Sequence, residues 1–95
     1  MPGMFFRRHP PPARYEMATR TGCHLCDEMA ALLDEVLPEH GLTWSPLDVD
    51  ADPELRARFT EVVPVLLRDG RPVAKIRTDR RSLERIVRRR REGEG

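Results

Sequence analysis

Tyr15-Glu16-Met17-Ala18-Thr19-Arg20-Thr21-Gly22-Cys23-His24-Leu25-Cys26 is the stretch on which the reading of this chain turns. Its first five residues read as a short strand, and Gly22 marks a turn. Beyond the turn, Leu25, Met29, Leu32, Leu33 and Val36 recur at i, i+4, i+7, i+8 and i+11, the spacing of one helical face. The sequence therefore predicts a strand from Tyr15 to Thr19 and a helix from about Cys23 to Leu37, ended by Pro38 and Gly41. The chain's two cysteines, Cys23 and Cys26, fall in the first turn of that helix. Strand, turn and CxxC opening a helix point to thiol–disulfide chemistry. The nucleophile in such exchange is the thiolate, and the unpaired N–H groups of a helix N-terminus stabilise that anion. Cys23, at or near the N-cap, is the expected attacking group. Cys26, one turn further in, is placed to close a disulfide.

Composition narrows the setting. At 95 residues, 39% apolar and 35% charged, the chain reads as one globular domain with few elements to build a core from. A formal charge of +1 supplies no global field toward nucleic acid or membrane, and neither is expected as a partner. No stretch suits a bilayer span, and Met4-Phe5-Phe6 is cut short by Arg7-Arg8-His9, so a cytoplasmic protein is expected. In a reducing compartment a CxxC is more readily catalytic or metal-binding than structural. Structural zinc takes four ligands, and the chain has two cysteines and no second cluster, so no metal is expected.

Residues 1–14, with Pro10-Pro11-Pro12, read as a disordered leader, 15–91 as the domain and 92–95 as a frayed tail. Leu42 to Val49 reads as a second strand, and Pro46 confines it to a sheet edge. Asp52 and Pro53 mark the N-cap and first residue of a second helix, with Leu55, Phe59 and Val62 as its buried stripe. Val65 to Arg68 is a compact strand. Asp69-Gly70 is a hairpin turn, and Pro72 to Ile76 returns as its partner. A third helix is expected from Ser82 as N-cap, through Leu83, Ile86 and Val87, into the Arg88–Arg91 run, a solvated helix end. Tyr15 and Trp44 are expected to pack on the sheet, and His40 to end the first helix without chemistry. The order β-α-β-α-β-β-α requires parallel pairing in the βα units and an antiparallel hairpin, met by a four-stranded mixed sheet with helices on both faces.

That α/β architecture is the thioredoxin/glutaredoxin-like fold, and over about residues 15–88 the chain resembles the short bacterial glutaredoxin-like proteins. The resemblance rests on Thr21-Gly22-Cys23-His24-Leu25-Cys26, on Leu47-Asp48-Val49-Asp50-Ala51-Asp52-Pro53-Glu54-Leu55, and on Val63-Pro64-Val65-Leu66-Leu67 with Asp69-Gly70. It implies a cis peptide bond at Val63-Pro64 beside the CxxC, with the backbone of Val63 offered to an extended thiol substrate as an added strand. It also implies a substrate contact at Arg20, where many glutaredoxins carry Lys. His24-Leu25 stands where the family usually has Pro-Tyr, and Ile76-Arg77-Thr78-Asp79-Arg80 replaces a glycine-pair turn that holds glutathione.

The implied activity is reduction of protein or low-molecular-weight disulfides by the Cys23/Cys26 dithiol, with no resident cofactor. Glutathione and a flavoprotein reductase are the two candidate electron sources. The helix dipole, Arg20 and protonated His24 are expected to favour the Cys23 thiolate. Two other readings stay open: a non-catalytic binding module that uses the Val63-Pro64 edge or the Arg-rich end, and a dedicated electron donor to one reductase.

Overall fold

Alternation along two central strands sets the architecture. In the computed structural model, which describes residues 12–59 and 61–89, β1 is Tyr15–Thr19, β2 Trp44–Asp48, β3 Val65–Arg68 and β4 Arg71–Lys75. They form one sheet in the order β2-β1-β3-β4. β1 runs parallel to β2 and antiparallel to β3, and β3 runs antiparallel to β4. Three helices cover this sheet: α1 (His24–Val36), α2 (Pro53–Phe59) and α3 (Arg80–Arg88). This is the thioredoxin-like α/β fold expected from the sequence.

Successive side chains of a strand point to opposite faces, so β1 and β3, buried between two helical layers, must be apolar on both. Tyr15, Met17 and Leu66 pack with Met29, Leu33, Val36 and Leu37 and with Leu83 of α3. Ala18, Val65 and Leu67 pack on the other face with Val49 and Phe59. β2 is an edge strand, as Pro46 requires, and it sits opposite Met17. Trp44 is half-buried at the start of β2, and its indole N–H donates to Asp34 at 2.9 Å. Burial pushes the Tyr15 phenol above its usual pKa, against the opposing pull of Arg68.

Local signals placed several boundaries. Asp69 and Gly70 take φ of 52° and 85°, the left-handed pair demanded by a two-residue hairpin turn. The Asp52 carboxylate accepts the Glu54 N–H at 2.8 Å and its carbonyl accepts the Arg56 N–H at 2.9 Å, so it caps α2.

Other boundaries differ. α1 stops at Val36 with Leu37 as its C-cap, just ahead of Pro38 as expected, but Pro38 then enters a 3₁₀ turn, Leu37–His40, near whose start a missing N–H is harmless, and Gly41 at φ 71° closes that turn. Strand β2 stops at Asp48 because its carboxylate accepts the Asp50 N–H and starts a 3₁₀ turn, Val49–Ala51, that buries Val49. α2 ends at Phe59, which leaves Val62 in the following turn, although it still packs on the second cluster.

β4 ends at Lys75, and Ile76 leaves the strand. α3 starts earlier than Ser82. Asp79 is its N-cap, accepting the Ser82 N–H at 2.8 Å, so Ser82 sits inside the first turn. With this start, Arg80 on α3 pairs with Glu35 at 2.9 Å, with Glu39, and with Glu84 one turn on. His40 Nε2 lies 2.7 Å from Glu84, a second tie between the same layers. Most of the expected leader, the Arg90-Arg91 end of the run and the tail over 92–95 lie outside the described residues. Among the described residues no helix is long and apolar enough to cross a membrane.

Leu33 is fully buried on the sheet-facing side of α1. Leu33→Ala should lower unfolding free energy by about 2–5 kcal/mol in a denaturant titration. The Asp79 carboxylate is held below the usual carboxylate range by the Ser82 backbone hydrogen bond. A depressed carboxylate stabilises the fold above its unfolded pKa, and the contribution is lost as pH falls through the lower folded value. Asp79→Ala should therefore be less stable than the wild type at neutral pH, and the gap between their melting temperatures should close as the pH falls below the ordinary carboxylate range.

Candidate functional site

The site is built where β1 hands the chain to α1. Gly22 turns at φ 79°, a conformation that strains any side chain, although a Cβ there would meet open space. Cys23 follows with extended backbone, φ −92° and ψ 106°, as the N-cap of α1. Its carbonyl accepts the Asp27 N–H at 3.1 Å, and its Sγ accepts the Cys26 N–H, also at 3.1 Å. The sulfur thus occupies the place of the usual N-cap oxygen, directed at an otherwise unpaired helix N–H. Cys23 and Cys26 are joined in a disulfide with Cα atoms 5.1 Å apart. Cys26 is buried in the core cluster with Met29 and Leu33, whereas Cys23 is half-buried at its rim. This asymmetry leaves one sulfur reachable from outside and encloses the other.

The Val63-Pro64 peptide bond is cis, as the resemblance implies. Pro64 is buried, and its carbonyl accepts the Ile76 N–H at 2.7 Å, carrying the β3–β4 pairing past the strand ends. Val63 packs on both apolar clusters, the first of which Cys23 also contacts. Among the described residues neither the N–H nor the carbonyl of Val63 has a hydrogen-bond partner. An extended peptide laid against that backbone would find a free donor and acceptor there.

Arg20 and His24 each have an acidic partner. The Arg20 guanidinium forks onto Asp50, with Nη2 to Oδ1 at 2.8 Å and Nε to Oδ2 at 3.2 Å. Asp50 also lies 3.7 Å from the Arg56 guanidinium, so a single carboxylate draws on two cations. His24 is exposed at the surface of α1 and pairs with Glu28 at 3.0 Å, one turn away. Asp50 is the residue that sequence reasoning missed. Its signal was present: Thr19 pairs with Asp48 across β1 and β2, which brings the residues just beyond each strand side by side. Among the described residues no group of three or more His, Cys, Asp or Glu is arranged to hold a metal ion.

Comparison with known proteins agrees with this geometry. Residues 15–88 match the family model described as "Glutaredoxin-like domain (DUF836)". An uncharacterized protein of Mycobacterium tuberculosis is 41% identical over 61 residues, a match covering 59% of this chain and 63% of that relative. A Nitrosomonas europaea protein solved in solution by NMR superposes with a TM-score of 0.71 at 21% identity, covering 86% of this chain and 99% of its own. The Fasciola hepatica thioredoxin superposes at 0.55 with 17% identity, covering 80% of this chain and 78% of its own. At those identities the two superpositions speak to the fold.

Removing the Asp50 charge leaves Arg20, three residues before Cys23, without that counter-ion. In the reduced protein, Asp50→Asn should shift the pH dependence of Cys23 alkylation to lower pH. An unchanged profile would mean that Arg20 and Asp50 act only as a structural tie.

Proposed function

We propose, from the premise that this chain belongs to the Glutaredoxin-like domain (DUF836) family, that it is a thiol–disulfide oxidoreductase with Cys23 as nucleophile and Cys26 as resolving group. The observation that carries the proposal is the Cys23 sulfur at the N-cap of α1, accepting the Cys26 N–H. A donor aimed at sulfur in the oxidised pair favours the anion in the reduced one. Interaction of a charge with a helix N-terminus is worth about 0.3–1 kcal/mol, and about 2 when partly buried, so an anion at this N-cap is stabilised.

The reaction balances as two exchanges. Cys23 thiolate attacks one sulfur of the substrate disulfide, forming a Cys23–substrate bond, and the displaced thiolate takes a proton. Cys26 then loses its proton and attacks the Cys23 sulfur, forming the intramolecular disulfide and releasing the second substrate thiolate. Two electrons pass from the dithiol to the substrate, and a thiol such as glutathione or a flavoprotein reductase returns them. Burial of Cys26 suits its part, because its partner is the neighbouring sulfur and not a bulky substrate. The backbone of Val63, without a hydrogen-bond partner among the described residues, suits an extended substrate lying beside Cys23, and the neighbouring Pro64 carbonyl is tied to the Ile76 N–H.

Turnover of a model disulfide with each reductant supplied in turn tests the proposal. Wild type should reduce it catalytically, and Cys23→Ser should fall to the uncatalysed rate. Cys26→Ser should accumulate a mixed disulfide at Cys23, and recovery of one enzyme alone in that trap would identify a dedicated electron donor. A wild type no faster than Cys23→Ser with every reductant would leave a binding module as the reading.

A further inference from the structure

The residue after β4 combines two features that the fold itself does not call for. Ile76 sits at φ 67°, a left-handed conformation that a β-branched residue rarely adopts and that costs about 1–3 kcal/mol. It is also the one large apolar side chain exposed among the described residues, at 36%. Its N–H is bonded to the Pro64 carbonyl, so this strained position is anchored one residue from Val63. Backbone strain and exposed apolar surface on a single side chain suggest a use outside the fold.

Ile76 lines an open groove of about 370 Å³ together with Leu25, Met29 and Leu32 of α1. Those three residues are spaced i, i+4 and i+7, one helical face, and Leu25 lies between the two cysteines. The apolar floor therefore begins inside the CxxC itself. The rim carries the carboxylates of Glu28 and Asp79. Of its two cations, Arg80 is already engaged by Glu35, Glu39 and Glu84, which leaves Arg77. The N-terminus of α3, which would otherwise receive an anion, is filled by the Asp79 side chain.

We propose, resting on the redox reading of the cysteine pair, that this groove receives the polypeptide flanking a substrate cysteine and selects disulfides with an aliphatic residue beside it. An aliphatic side chain laid over Leu25 and Ile76 removes apolar surface from water on both partners. Glutathione brings no apolar side chain to cover that floor, and of the two rim cations only Arg77 is left to meet its carboxylates. The groove thus favours a protein disulfide over the tripeptide, with the backbone pairing at Val63 common to both.

Three mixed disulfides with 2-mercaptoethanol test this: a short peptide with Leu beside its cysteine, the same peptide with Ser there, and glutathione. Wild type should show kcat/KM about tenfold higher for the Leu peptide than for either other, the scale of one aliphatic contact in a pocket. Ile76→Gly puts at φ 67° the residue that adopts it without strain, so the variant should fold, and the Leu-to-Ser ratio should fall toward one. A separate arm needs no chemistry. The S-methylated Leu peptide, added to the oxidised protein, should shift the amide NMR signals of Leu25, Leu32 and Ile76. Those shifts without turnover of any disulfide would overturn the redox reading and leave the groove standing. Turnover with a Leu-to-Ser ratio of one, a ratio indifferent to Ile76→Gly, or a preference for glutathione would overturn the groove alone. Neither shifts nor turnover would overturn both.

Discussion

The hydrogen bond from the Cys26 N–H to the Cys23 sulfur depends on how firmly β1 is fixed, and much of the molecule serves that end. β1 is paired along both edges and buried on both faces, with Tyr15 and Met17 in one layer and Ala18 in the other. Its last residue therefore has little freedom, and Gly22 supplies the single left-handed step that swings the chain into α1. Cys26 is itself a core residue, packed with Met29 and Leu33. The inner half of the cysteine pair is thus held by the same contacts that hold α1 to the sheet. A change that loosens the core on this face would also loosen the geometry of the sulfurs, because interiors are close-packed and transmit small displacements.

Charge is arranged in pairs around this junction. By composition the chain carries 17 basic and 16 acidic residues, a balance that says nothing of location. In the fold, Arg20 is committed to Asp50, and Arg80 to Glu35, Glu39 and Glu84. Single exposed pairs of this kind are worth about 0–1 kcal/mol, so their sum is a modest contribution to stability. Their larger effect is positional. Arg80 and the His40–Glu84 pair tie α3 across to the end of α1, and Arg20 ties the end of β1 to the turn after β2. A guanidinium held in a fork by one carboxylate is a poor receptor for a second.

What could be read from the sequence follows the range of the interaction responsible. The strand Val65–Arg68, the Asp69-Gly70 turn, the Asp52 cap and the CxxC at a helix start are decided by residues within a few positions of one another, and each was legible. Pro46 was legible for the same reason, since a missing donor is a local fact with a topological consequence. The start of α3 was misplaced because Asp79 and Ser82 are both cap residues. The choice between them agrees with where Arg80 must lie to meet Glu35, 45 residues away. In the sequence Arg20 stands only as a basic residue near the thiol, and its partner Asp50 sits 30 residues on, brought close by parallel pairing of β1 and β2. Ile76 looked like a strand end because isoleucine is a strand residue, and nothing local announces a β-branched side chain at positive φ.

The sulfur geometry and the groove walls therefore rest on different parts of the molecule. The Cys23 sulfur is set by backbone geometry, its extended N-cap position on α1 and the left-handed step at Gly22. The groove walls depend on side chains alone: Leu25 and Leu32 on α1, and Ile76 on a segment where the backbone carries strain. A turn made of glycine would relieve that strain and remove the wall. An isoleucine keeps both, and the energy it withholds from stability is of the same order as one aliphatic contact with a substrate. Strain at this position is consistent with a residue retained for what it touches outside the chain, because the left-handed backbone would be served better by glycine.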